Sequence, residues 1–170
     1  MKVNLTVLVF LFLISGCSAK RKIPTVKSLL LEQLKNTHTD QDWFVPVKKA
    51  IAGVTLEQSK WKEEANNHSI GELVSHLIFW NERVLTAFKE ENVPEFNDDN
   101  DTTFEICEGI GWIAEKEKLD SIQNEWEELV EKATDDQLMK WHMSIANICT
   151  HNAYHTGQII YIRKQNGWWE

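Results

Sequence analysis

The sequence predicts an all-α fold, a bundle of four long helices. Three observations predict it. Apolar residues recur at steps of three and four in four separate stretches. The strict apolar–polar alternation that marks strands is nearly absent. Capping-box patterns, Ser or Thr followed three residues later by Glu or Gln, stand at 55–58 and 69–72, ahead of apolar runs. Internal repeats and low-complexity segments are absent from the chain.

The first 16 residues are read as a targeting segment rather than as part of the fold. Met1-Lys2 supplies a positive start, and Val3 to Ile14 is apolar apart from Asn4 and Thr6. That run is shorter than the roughly 20 residues of a membrane span. Leu13-Ile14-Ser15-Gly16-Cys17 resembles a bacterial lipobox, in which cleavage just before the cysteine leaves it lipid-modified. Residues 1–16 are therefore expected to be a lipoprotein signal peptide. Cys17 is then the lipidated residue, 17–24 a linker and 25–170 the folded domain. Cleavage there leaves 154 residues, enough for one four-helix core. Acyl chains on Cys17 would anchor it firmly, at about 0.8 kcal/mol per buried CH₂. The expected location is the cell envelope, on the periplasmic or extracellular face of a bacterial membrane.

The first helical pattern starts near Thr25 with Val26, Leu29, Leu30 and Leu34, and is expected to continue to Gly53 with a bend or break near Pro46. Thr55 caps a short turn, and 61–67 is a polar loop. The second long helix opens at Ser69 and carries Ile70, Leu73, Leu77, Trp80 and Val84 on one stripe, ending near Glu91. Residues 95–103 are acidic and read as a solvated loop without calcium-loop spacing. The 91–112 connection is long enough to cross the bundle between helices 2 and 3. A third helix is expected from about Ile113 to Lys132. Thr134 starts a short turn, and Ser144 is expected to cap the fourth helix. On that helix Ile145, Ile148, Asn152, His155, Ile159 and Ile162 share a stripe, and Gly167 stops it.

The formal net charge is −8, and without Lys2, the only charge in the first 16 residues, the rest carries −9. Such a surface argues against nucleic acid, whose phosphates it would repel. The eight Trp are spread along the chain and read as core and helix-contact residues. Cys107 and Cys149 either pair, as an exported compartment allows, or remain two thiols.

The chemistry is expected at three histidines. His151 and His155 stand at i and i+4, so both rings project from one side of a helix. His76, on the second long helix, lies at the edge of its apolar stripe. The pair admits two readings, a metal chelate or two rings satisfied by core hydrogen bonds. Three neutral imidazoles suit zinc, nickel, copper or iron and poorly suit magnesium or calcium. Three protein ligands leave positions open for water or substrate. His38, His68 and His142 fall in loops or at helix ends and read as bystanders.

Two blocks, His68-Ser69-Ile70-Gly71-Glu72-Leu73-Val74-Ser75-His76 and His151-Asn152-Ala153-Tyr154-His155-Thr156-Gly157-Gln158-Ile159, resemble the DinB/YfiT-like superfamily. The resemblance extends over about residues 25–169. It implies a four-helix bundle in which His76, His151 and His155 bind a divalent transition metal (zinc, nickel or iron). Members with assigned activity are thiol-dependent enzymes, such as bacillithiol and mycothiol transferases or a mycothiol-dependent isomerase. The expectation is thus a lipid-anchored metalloprotein, a transferase or hydrolase activating a thiol or water. The rival is a non-catalytic envelope binding module with a structural metal or none. Asn152, Tyr154 and Gln158 are candidates to support the ligands or hold substrate, Asn152 first because it shares the inward stripe. Glu72 is either an acid–base group or the capping partner of Ser69. Arg163 reads as a surface residue near the helix end. Expected partners are the membrane through Cys17, a small-molecule substrate and, as an open option, a second copy of the chain.

Overall fold

A computed structural model describes residues 23–64, 67–105 and 111–169. Residues 1–16, expected to be a signal segment, and Cys17 and Cys107 lie outside the described residues. Six helices are present there: α1 (Val26–His38), α2 (Val47–Ile51), α3 (Leu56–Lys60), α4 (Ile70–Phe88), α5 (Trp112–Lys132) and α6 (Asp135–Gln165). A 3₁₀ turn spans Asn100–Phe104. No strand occurs among the described residues.

Local chemistry sets the helix starts. Thr25, Thr55 and Ser69 each accept a hydrogen bond from the backbone N–H three residues on, and in each case that residue's side chain bonds back. These reciprocal caps satisfy N–H groups that have no partner inside a helix. α4 ends where Glu90 takes a left-handed φ of 61°.

Two boundaries differ from the sequence reading. The first helix stops at His38, well before the bend or break expected near Pro46, and Pro46 starts the separate α2. Proline has no N–H to lose at a helix start, so a new start costs less there than a kink. The fourth helix begins at Asp135, with Thr134 as its cap and Ser144 inside it. The acidic residues Asp135 and Asp136 favour that earlier start, because they sit at the positive end of the helix dipole.

α4 packs against α5 and α6, and α1 packs against the same two helices. Lys118 meets Glu82 and Lys89 meets Glu125, so numbering rises together in α4 and α5. The two are parallel, and the chain from 89 to 111 must return along the bundle. α4 and α6 are antiparallel, since His76 meets His151 while Phe88 meets Trp141. The core holds Trp126, Phe88, Leu77, Leu119, Ile145 and Ile159, all essentially inaccessible. Across α4 and α6, Asn81 and Asn152 exchange two amide hydrogen bonds at 2.7 and 3.1 Å. That exchange fixes the register of α4 on α6, and the register aligns the histidines.

Among the described residues no helix is long and apolar enough to cross a membrane. Cys149 is a buried free thiol, pushed up to about 12 by its burial.

Candidate metal centre

His76, on α4, and His151 and His155, one turn apart on α6, turn toward one point. One ring nitrogen from each lies within 4.8 Å of the other two. His76 Nε2 and His151 Nε2 are 3.0 Å apart. The outer nitrogens decide what this point can bind. Thr103 donates its hydroxyl hydrogen to the Asn100 carbonyl at 2.6 Å. A hydroxyl has one hydrogen to give, so toward His76 Nδ1, at 2.5 Å, Thr103 can only accept. His76 therefore carries its hydrogen on Nδ1 and presents a lone pair on Nε2. His155 Nδ1 donates to Gln158 Oε1 at 2.6 Å, which likewise leaves a lone pair on Nε2. His151 Nδ1 is buried without a partner.

The proton count follows. Three neutral imidazoles hold three N–H groups, and two of them point outward to Thr103 and Gln158. One hydrogen remains for the four other ring nitrogens; even if His151 Nε2 holds it and gives it to His76 Nε2 at 3.0 Å, two lone pairs are left without a donor among the described side chains. A buried point rich in lone pairs and poor in hydrogens suits a cation and little else.

Electrostatics keep the rings in this ligand form. Burial holds His76 far below the ordinary imidazole value, at about 3, and the neighbouring His155, His151 and His68 add to the effect. His151 is lowered to about 4 by burial and then by His155. His155 is lowered by burial, against the raising effect of its Gln158 bond. Metal ligation requires the neutral ring.

The 3₁₀ turn contributes more than the sequence disclosed. Read as the edge of a solvated loop, it buries Thr103 and Phe104 instead. Phe104 lies between two imidazoles, stacked on His76 at 3.9 Å and on His68 at 3.7 Å. His68 is therefore the back layer of the site rather than a bystander. The short Thr103–Phe104 pair lacks any pattern that would have marked it.

The remaining candidates divide. Gln158 bonds a site ring, as described. Tyr154 is 64% exposed and stands edge-on to His155. Asn152 spends its amide on Asn81, so its role is to align helices. Glu72 caps Ser69 N at 2.7 Å and pairs with Lys62 at 2.5 Å, which is the capping reading. Arg163 is half-buried and ties the tail to α2, donating to the carbonyls of Ala50 at 2.6 Å and Trp168 at 2.9 Å. His38, read as a bystander, is fully buried at the end of α1. Its ring lies between Asp120 and Glu127 of α5, at 2.8 and 2.7 Å.

The three histidines line one end of an open cavity of about 850 Å³ between α4 and α6. Trp80 and Trp141 form part of its walls, and Trp141 also packs against the core at Phe88.

The sequence profile of the DinB superfamily matches residues 47–159, well over half of the chain, and this span includes all three histidines. No curated protein and no solved structure matches the chain.

Proposed function

Because the chain belongs to the DinB superfamily, we propose that it is a metal-dependent enzyme, a transferase or hydrolase, held at a bacterial envelope membrane by a lipidated Cys17. His76, His151 and His155 would hold one divalent ion, zinc, nickel or iron. The observation that carries this reading is the surplus of lone pairs at a buried point that opens onto a cavity. When bound, the metal supplies a Lewis acid that activates a water or a thiol.

The chain's own residues do the rest. Thr103 and Gln158 fix which nitrogen of His76 and His155 faces inward, and so aim the lone pairs. Phe104 and His68 close the back of the site with stacked rings and keep water to the cavity side. Tyr154 stands at the mouth, able to donate a hydrogen bond to a substrate. No protein nucleophile is assigned, since Glu72 is occupied by its cap and by Lys62. A structural clamp would close its shell with a further ligand, whereas these rings border open space. That favours the enzyme over a non-catalytic envelope module.

Metal analysis of protein purified without an affinity tag tests the centre. Near-stoichiometric metal is expected, lost in the double variant His151→Ala, His155→Ala. Metal retained unchanged in that variant overturns the assignment. Labelled palmitate fed to expressing bacteria tests the anchor. Incorporation is expected in the unaltered chain and not in Cys17→Ser, and an unlabelled wild-type chain overturns it.

A further inference from the structure

The cavity beside the histidines carries its own signature. It runs along the α4–α6 seam. On α4 its lining residues include His76, Trp80, Arg83 and Ala87, at spacings of four, three and four. On α6 they include Trp141, Ser144, Ile148 and His151. The helices are antiparallel, so the histidines occupy one end and Trp141 with Ala87 the other. Arg83 follows His76 by two full turns. At 1.5 Å rise per residue, that places it about 10 Å farther along the same face.

Charge in the cavity runs against the charge of the chain. The protein carries −8 overall. Among the described residues, no carboxylate lines this cavity, and Arg83 is the one permanently charged residue that does. Arg83 has no ion pair among the described residues. Its contacts are a bond from Nη2 to the Pro94 carbonyl at 2.6 Å and the Phe96 ring at 5.7 Å. A carbonyl and an aromatic face hold a guanidinium in place without cancelling its charge, and its other N–H groups stay available.

We infer that this cavity takes an amphipathic monoanion: an apolar body lies along the Trp80–Ile148 walls, and a carboxylate or similar anionic group reaches Arg83, about 10 Å from the histidine end. The inference rests on the proposed metal site only for which end of the ligand reacts. Arg83 is a specificity residue in this arrangement. It binds the anion, fixes the direction of the molecule and leaves the opposite end at the histidines. Among the described residues no carboxylate lines the cavity to pair with a cationic group near Arg83.

A matched pair of ligands tests this, phenylbutyrate and its neutral isostere phenylbutyramide. Each is titrated calorimetrically into the full-length chain in detergent, with blank titrations into empty micelles, once with EDTA and once with added zinc. The carboxylate is expected to bind roughly tenfold tighter than the amide, the scale of one charge-assisted contact. Arg83→Gln is expected to bring the ratio to about one, while Arg83→Lys keeps part of it. Lys140→Gln, which removes an exposed charge outside the cavity, leaves the ratio unchanged. Trp80→Phe combined with Trp141→Phe, which removes both tryptophans lining the cavity, is expected to remove most of the ligand-induced change in tryptophan emission, which locates the ligand. Equal affinities in the unaltered chain, or a preference that survives Arg83→Gln, overturns the inference. So does an emission change that survives Trp80→Phe combined with Trp141→Phe. Should Arg83→Gln not fold, the comparison of the two ligands on the unaltered chain still decides. The two proposals separate cleanly: a ratio of one with metal bound sinks only this inference, and a tenfold ratio in a chain that binds no zinc, nickel or iron when each is added without chelator sinks only the metal site.

Discussion

The bundle buries histidine in two places. Where α1 meets α5, His38 has Asp120 at 2.8 Å on one nitrogen and Glu127 at 2.7 Å on the other. Where α4 meets α6, three imidazoles meet one another, and the groups around their outer nitrogens are a hydroxyl and an amide oxygen. In the first arrangement both ring nitrogens face carboxylate oxygens. The second arrangement leaves lone pairs facing inward. One residue type thus bridges two carboxylates in one half of the molecule and offers electron pairs in the other. The partners, not the burial, decide which.

The sharpest break in that comparison is His38→Ala. It leaves two carboxylates facing each other across a cavity and is expected to cost about 3 kcal/mol. Asp120 retains Lys48 at 2.8 Å and is 34% exposed, which keeps the loss below that of a fully enclosed pair. Urea denaturation in EDTA measures it. His151→Ala under the same conditions is expected to lie within about 1 kcal/mol of the parent, because it removes a buried nitrogen that had no partner. Equal losses in the two variants would erase the distinction between the sites.

Adding metal reverses the sensitivity. Zinc at a hundred times its dissociation constant stabilises the folded chain by about 2.7 kcal/mol. That gain is expected to vanish in His76→Ala and to persist in His38→Gln. A gain lost in His38→Gln instead would place the ion at the wrong histidine.

How far the sequence disclosed these two sites follows from how local each one is. His151 and His155 were legible because a helix places i and i+4 on one side, and His76 because it sits at the edge of a periodic stripe. The bundle was legible for the same reason. Thr103 and Phe104 reach His76 only because the connection after α4 folds back along the bundle, and nothing in their neighbours announces that. His38 was missed because its partners lie 82 and 89 residues away. The start of α6 was misplaced because Ser144 looks like a cap from its neighbours alone. A helix continues through serine when its next turn is packed.

Acidity sharpens the contrast further. In the unfolded chain the imidazoles titrate near 6.5, whereas in the fold His76 and His151 are lowered to about 3 and about 4. Between these values the unfolded state binds protons that the native state does not. Stability is therefore full above about 6.5 and falls as the pH drops toward 4. The loss is at most about 1.4 kcal/mol per pH unit for each ring. In EDTA, replacing both with Gln is expected to flatten the curve between pH 6 and 4. An unchanged slope would mean that other groups set it.

The finest test concerns the aim of a single ring. Thr103→Val keeps the shape of the side chain and removes the acceptor for His76 Nδ1–H. The ring can then turn or exchange its hydrogen between nitrogens, and the lone pair on Nε2 is no longer guaranteed to face inward. The orphaned N–H also sits against Phe104, where water has little access. Loss of such a support typically costs tenfold or more in metal affinity, about 1.4 kcal/mol at the low end. Competition against a zinc chelator measures it, with Thr103→Ser as the conservative control that should restore most of the affinity. A hydroxyl that merely stabilises the 3₁₀ turn would lower folding stability equally with and without zinc and leave affinity unchanged. A ligand-aiming hydroxyl shows a further loss in the metal-bound state, beyond the one seen without zinc, and the two measurements together tell which role Thr103 plays.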